Sequence, residues 1–144
     1  MKIHLVSLAN KMPSWVQEGF SDYQKRLKPP IDLCIKDIAL TKRDPYSDIK
    51  LFIGPAYHTV ALDSRGANHS SEQLAKQLAY WQQLGKPIAL LIGGPDGHLP
   101  NTLEHCQEHW SLSRLTFPHP LVRIIVIEQL YRAQSILQGH PYHK

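Results

Sequence analysis

The sequence predicts an α/β domain with a mostly parallel sheet flanked by helices, and three observations carry that prediction. Short apolar or β-branched runs alternate with helix-spaced stretches along the whole chain. One run, Ile88 to Ile92, is apolar at every position, as a strand buried on both faces requires. That run empties into Gly93-Gly94-Pro95-Asp96-Gly97, at the strand end where open α/β sheets bind ligands. With 144 residues the chain makes one domain, able to bury about two-thirds of its unfolded surface.

Composition narrows the class. Hydrophobic residues make up 42% and charged residues 19%, which excludes a disordered chain. No apolar run approaches the ~20 residues a membrane helix needs, so no membrane partner is expected. Ile3 to Ala9 is interrupted by His4 and Ser7 and reads as a strand, not a secretory segment. Cys34 and Cys106 lack any short spacing, which points to reduced thiols and a cytoplasmic location. A net charge of +4 leans toward an anionic partner.

In chain order, Lys2 to Leu8 reads as a strand, broken by Asn10-Lys11-Met12-Pro13. Ser14 opens a helix with the capping-box pattern Ser14-x-x-Gln17, and Val16, Phe20, Tyr23 and Leu27 give it one apolar face. Lys25, Arg26 and Lys28 complement its dipole or meet RNA, and Pro29-Pro30 stops it. Leu33 to Leu40 reads as a second strand. The charged loop Thr41-Lys42-Arg43-Asp44-Pro45 is either a phosphate contact or a solvated turn. Asp48 to Ile53 supplies one or two helical turns, ended by Gly54-Pro55. Thr59 to Asp63 is a short buried strand followed by the turn Ser64-Arg65-Gly66.

Ser70-x-x-Gln73 is a second capping box. Leu74, Leu78, Trp81 and Leu84 continue at helical spacing until Gly85. After the Ile88 to Ile92 strand, Asn101 to Trp110 reads as a shorter helix capped by Asn101. Leu112 to Phe117 reads as a strand end, and Pro118-His119-Pro120 as a stiff loop. From Leu121 to Leu137 the apolar residues keep helical spacing. The first half of this helix is apolar nearly all round, so it is buried on several sides. Glu128 and Arg132 stand four apart on it and can pair on one face.

Two further patterns carry chemistry. His105-Cys106-Gln107-Glu108-His109 matches the inverted zinc-protease pattern H-x-x-E-H, or is a solvated polar helix face. A catalytic zinc would need a third protein ligand, and the only acidic residue after His109 is Glu128. Cys106 has no activating environment legible in the sequence. The tail Tyr142-His143-Lys144 joins an aromatic ring, an imidazole and a cation, so it can stack a base and meet phosphate; otherwise it is a frayed end.

Five segments together resemble one family: Lys11-Met-Pro-x-Trp15-Val; Leu91-Ile-Gly-Gly-Pro-x-Gly97; Ser111-Leu-Ser-x-Leu-Thr-x-Pro-His119; Leu130-Tyr-Arg-Ala133; and His140-Pro-Tyr-His143. They occur in order across essentially the whole chain. The family is that of the ribosomal RNA large subunit methyltransferases H, pseudouridine N3-methyltransferases of the SPOUT class. The resemblance implies a C-terminal deep trefoil knot and a homodimer. It also implies S-adenosyl-L-methionine as methyl donor, no metal, and N3 of a pseudouridine in 23S rRNA of assembled ribosomes as the acceptor. By motif match the cofactor pocket comprises Leu62, Gly94, Ser113, Arg114, Leu115, Thr116, Phe117 and Pro118.

Catalysis would fall to Arg132, which can stabilise the anion left when N3 loses its proton, with Tyr142, His143 and Glu128. His143 or Glu128 is the candidate proton acceptor, and the tail of one protomer would complete the pocket of the other. Two departures stand out: the segment around Asp48 to Gly54 is shorter than the family's by roughly ten residues, and the tail ends in Lys144 where arginine is usual. The rival readings are a non-catalytic rRNA- or ribosome-binding module and a small zinc hydrolase using His105 and His109.

Overall fold

A computed structural model of the chain describes residues 1–40 and 44–143. Thr41, Lys42, Arg43 and Lys144, and with them most of the charged loop and the cation of the tail, lie outside the described residues. Among those described, five strands form a single sheet in the order β2-β1-β4-β3-β5, with all four pairings parallel. The strands are β1 (Lys2–Leu8), β2 (Asp32–Ile38), β3 (His58–Asn68), β4 (Ile88–Ile92) and β5 (Glu108–Ser111). The helices are α1 (Ser14–Arg26), α2 (Tyr46–Ile49), α3 (Ser71–Leu84), α4 (Pro100–Glu104) and α5 (His119–Leu137). Short 3-10 turns cover Lys50–Phe52 and Pro141–His143.

Strand alternation sorts the core into two layers. Ile3 and Leu5 of β1 join Leu78 and Trp81 of α3 and Ile127 and Leu130 of α5 on one face. Val6 and Leu8 join Ile49 and Phe52 on the other, under the short helical turns that follow β2. β4 sits in the middle of the sheet with all five residues buried, as its unbroken apolar run requires. In α3 the predicted box is made: Ser70 Oγ accepts from the Gln73 amide while Gln73 Oε1 accepts from the Ser70 amide. The helix ends at Gly85, in the left-handed region at φ 70°.

Several expectations are corrected. The Ser14 box is not made; Pro13 occupies the cap and the Gln17 side chain donates through Nε2 to the Met12 carbonyl at 2.8 Å. The helix expected over Asn101 to Trp110 closes at Glu104, and the last strand forms from Glu108 to Ser111. Gln107 steers that change, its amide donating to the Thr59 carbonyl while its side-chain oxygen accepts from the Thr59 amide. Leu112 to Phe117 is therefore loop, not strand. The Ser111 hydroxyl donates to the Ser113 carbonyl and the Leu115 amide to the Ser113 hydroxyl, so side chains replace the ladder there. α5 starts at His119, because proline is tolerated in a first turn whose N–H groups are unpaired anyway.

The turn expected at Ser64-Arg65-Gly66 is a bulge inside one long strand. Leu62 and Ala67 both face Trp110 of β5, and the residues between them leave the ladder. Gly66 permits it: a Cβ there would lie 2.6 Å from backbone atoms of His109 and Trp110. β5 is also held from the side. The Glu108 carboxylate accepts from Trp81 Nε1 at 2.9 Å, from Trp110 Nε1 at 3.1 Å, and from His58 and Gln77. The indoles of Trp81 and Trp110 stack at 5.2 Å. Burial alone would raise the Glu108 pKa, but these donors outweigh it and hold the group below the ordinary carboxylate value.

Glu108→Gln is expected to cost about 2 kcal/mol of stability at pH 7, because a buried anion with several donors is lost. The folded pKa is depressed, so the wild-type contribution is complete above the unfolded value and is lost as pH falls through the folded one. Urea unfolding of both proteins from pH 7 down to pH 3 checks this, the two curves converging at the acid end.

Candidate functional site

The carboxyl ends of β1 and β4 and the bulge of β3 open into a cavity of about 900 Å³. Its walls are Leu8 to Pro13 after β1, Leu62 to Arg65 at the bulge, Ile92 to His98 after β4, and Trp110 to Phe117 leading to α5. The turn after β4 is tight. Gly94 and Gly97 pair across it, and a Cβ on Gly93 would lie 2.9 Å from the Gly97 carbonyl carbon. The first turn of α5 closes the far side, with His119 Nε2 2.9 Å from the Ser7 hydroxyl. Burial, with the nearby Arg123 cation, keeps the His119 pKa below its ordinary value, Asp37 opposing.

Of the residues expected to hold a cofactor, Leu62, Gly94, Ser113, Arg114, Leu115, Thr116 and Phe117 all line this cavity. Pro118 does not; its carbonyl caps α5, accepting from the Leu121 and Val122 amides. The sequence reading missed Leu8 to Met12, Asp63, Arg65, Asp96, His98 and His119 as wall residues. Part of that signal was available. Leu8 to Pro13 follows the carboxyl end of a strand, the same rule that flagged Gly94.

The four residues expected in catalysis form a separate cluster, and none lines the cavity. Arg132 donates to Glu128 Oε1 through Nε at 2.9 Å and Nη2 at 2.6 Å, and the Tyr142 hydroxyl donates to the same oxygen at 3.1 Å. Gln129 occupies the other oxygen at 2.7 Å. The Arg132 guanidinium lies 4.9 Å from the Tyr142 ring centroid, and the Glu128 carboxylate raises the Arg132 pKa. Burial, then Tyr23 and Glu128, push the Tyr142 hydroxyl well above the ordinary phenol value. His143 Nε2 meets Glu72 at 3.0 Å, while its Nδ1 is buried without a partner among the described residues. A smaller cavity of about 440 Å³ lies between the two regions, lined by Ser71 and Gln129 on one side and Trp110 to Ser113 on the other.

The family described as "Predicted SPOUT methyltransferase" matches residues 1–143. The chain belongs to the SPOUT methyltransferase family. A relative from Methylococcus capsulatus, "Ribosomal RNA large subunit methyltransferase H", is 44% identical, with all of both chains covered. Proteins of the same name from Dichelobacter nodosus and Legionella pneumophila are 44% and 43% identical, with all of this chain and 99% of theirs covered. The alignments run over 155 positions for a chain of 144, so this SPOUT member is the shorter by about eleven. A solved structure of a probable methylase family protein from Haemophilus influenzae shares the fold, with a TM-score of 0.58 at 9% identity over 99% of this chain and 70% of that one.

The zinc reading fails on geometry. His105 ends α4 and His109 lies in β5, so they share no helix face. Each imidazole is taken by a backbone carbonyl at 2.7 Å, of Asn101 and Leu103 respectively. Cys106 is no better placed for chemistry: its Sγ donates to the Thr102 carbonyl at 3.2 Å and burial pushes the thiol up to about 11. Cys106 is therefore expected to alkylate with iodoacetamide at pH 8 about a hundredfold more slowly than a free thiol, as peptide mass spectrometry would read.

Proposed function

We propose that this SPOUT methyltransferase transfers a methyl group from S-adenosyl-L-methionine to N3 of a pseudouridine in 23S rRNA. The observation that carries the reading is the coincidence of the main cavity with the Gly94 turn and the Ser113 to Phe117 loop. The fit is good on size and chemistry. About 900 Å³ lies in the range of cofactor pockets, and the walls are chiefly apolar side chains and strand-end backbone. Such walls bind an adenosine edge through main-chain amides and carbonyls while excluding water. The sulfonium supplies an electrophilic methyl carbon, so the protein's task is placement of N3 at about 3–3.5 Å with the donor in line.

The acceptor side rests on Arg132, Tyr142 and His143. Arg132 would stabilise the imide anion across the neighbouring carbonyl oxygens once N3 is deprotonated. Glu128 is already engaged by Arg132, Tyr142 and Gln129, which suits an anchor that aims the other two. His143, with one ring nitrogen free of partners among the described residues, is then the better proton acceptor of the pair. Because the cluster and the cavity are distinct within one chain, the reading takes a homodimer in which the tail of one protomer faces the cavity of the other. It also takes α5 as the segment threaded in a trefoil knot, and the assembled ribosome as the substrate.

The test is transfer of a tritiated methyl group to assembled ribosomes and to naked rRNA. Label in the ribosomal pseudouridine supports the reading; binding of rRNA without donor affinity would instead favour a non-catalytic module. Removing Tyr142 to Lys144 is expected to leave donor affinity unchanged and to abolish transfer. Gly94→Val is expected to weaken donor binding about tenfold or more by calorimetry, since a side chain there takes the space of close backbone approach.

A further inference from the structure

His98 is wedged into the wall of the cavity beside Leu62, and nothing in the proposed chemistry uses it. It follows Gly97 at the close of the turn after β4 and lines the cavity. Its Nε2 lies 3.1 Å from the Leu62 carbonyl, at the point where β3 leaves its ladder with β5. A carbonyl only accepts, so Nε2 carries the proton. The other nitrogen, Nδ1, is buried without a partner among the described residues. The ring therefore pins the turn containing Gly94 to the start of the β3 bulge at Leu62, and a second proton would place a cation in the wall.

The surroundings favour the neutral ring. Burial lowers the His98 pKa; the Leu62 and Leu91 backbone and the Asp63 carboxylate pull the other way and lose, and His109 adds to the lowering. Asp63 is itself tied to Arg65 at 3.3 Å, so it offers no free counter-charge. His109 faces away, its Nε2 on the Leu103 carbonyl. Lys11, Arg65 and Arg114 supply positive charge elsewhere on the wall, Asp96 negative, and His119 stands on the far side against Ser7.

We propose that neutral His98 positions the donor site and that its protonation makes the cavity discriminate against a sulfonium ligand. This rests on the donor being S-adenosyl-L-methionine. That molecule carries one positive charge more than its demethylated product, S-adenosylhomocysteine. An imidazolium in the wall repels the first and is nearly indifferent to the second. A purely structural role for His98 would weaken both ligands alike.

Calorimetry of the full chain with both ligands tests this, at pH 7.5 and at the lower pH where the His98 Cε1–H resonance reports a protonated ring. The affinity ratio of donor to product is expected to fall by about tenfold at the lower pH. His98→Gln, which keeps an amide donor for the Leu62 carbonyl, is expected to show a flat ratio; His119→Gln should keep the fall. The His98 Cε1–H resonance should shift over the same pH range, and to lower pH with the donor bound. An unchanged ratio in the wild type, the same fall in His98→Gln, or its loss in His119→Gln would overturn the proposal. If the donor fails to bind at pH 7.5 at all, the methyl-transfer reading fails instead.

Discussion

The structure turns on how the start of α5 is tied to the far side of the sheet. Arg123 is only 5% exposed, yet both its terminal nitrogens reach the Asp37 carboxylate at the end of β2, one of them at 2.6 Å. His119, one turn earlier, meets Ser7 at the end of β1. β5, the strand that precedes α5, lies at the opposite edge beyond β3 and β4. At about 4.8 Å per strand the chain must cover about 14 Å to reach β1. Residues 112–118 can span about 23 Å when extended. The loop thus has slack enough to arch over the ends of β3 and β4, and that arch is the outer wall of the cavity. Arg123 is buried while Asp37 is exposed, so losing the carboxylate would leave a buried cation unpaired, and the arch is held at its landing point.

The other end of α5 is fixed by a different device. The Gln134 side chain, 3% exposed, accepts from the Lys28 amide at 2.8 Å and donates to the Lys28 carbonyl at 2.7 Å. The helix is thereby clamped at both ends against elements more than eighty residues away in sequence. Its C-terminal half presents Glu128, Arg132 and Tyr131 to the tail, and Tyr142 packs 4.5 Å from the Tyr131 ring. A rigid helix therefore carries the cavity wall at its start and the Arg132 cluster toward its end.

Much of this was legible where one local rule dominates. β1 and β4 have the bounds that apolar runs predict, and α3 has its capping box and glycine stop. Leu62, Gly94 and the 113–117 loop were legible as cavity-lining residues because the motif resemblance marks those turns, the Gly94 turn also by its place at a strand end. The failures share a cause. From Asn101 to Trp110 the polar residues fit a helix as well as a strand, and the partners that decide for strand, Thr59, Trp81 and His58, are more than twenty residues away in sequence. The Ser14 box failed because Pro13 took the cap. His98 was invisible because its partner is a carbonyl on another strand, which no spacing rule reports.

The stacked indoles have an optical consequence. Trp110 sits on the cavity wall and lies nearly parallel to Trp81 at 15°, whereas Trp15 is 53% exposed on α1. Two coupled chromophores at 5.2 Å give exciton-split circular dichroism in the strong far-ultraviolet indole band, and a fluorescence distinct from that of a solvated indole. The molecule thus carries an intrinsic optical reporter on the wall of this cavity, readable without any label.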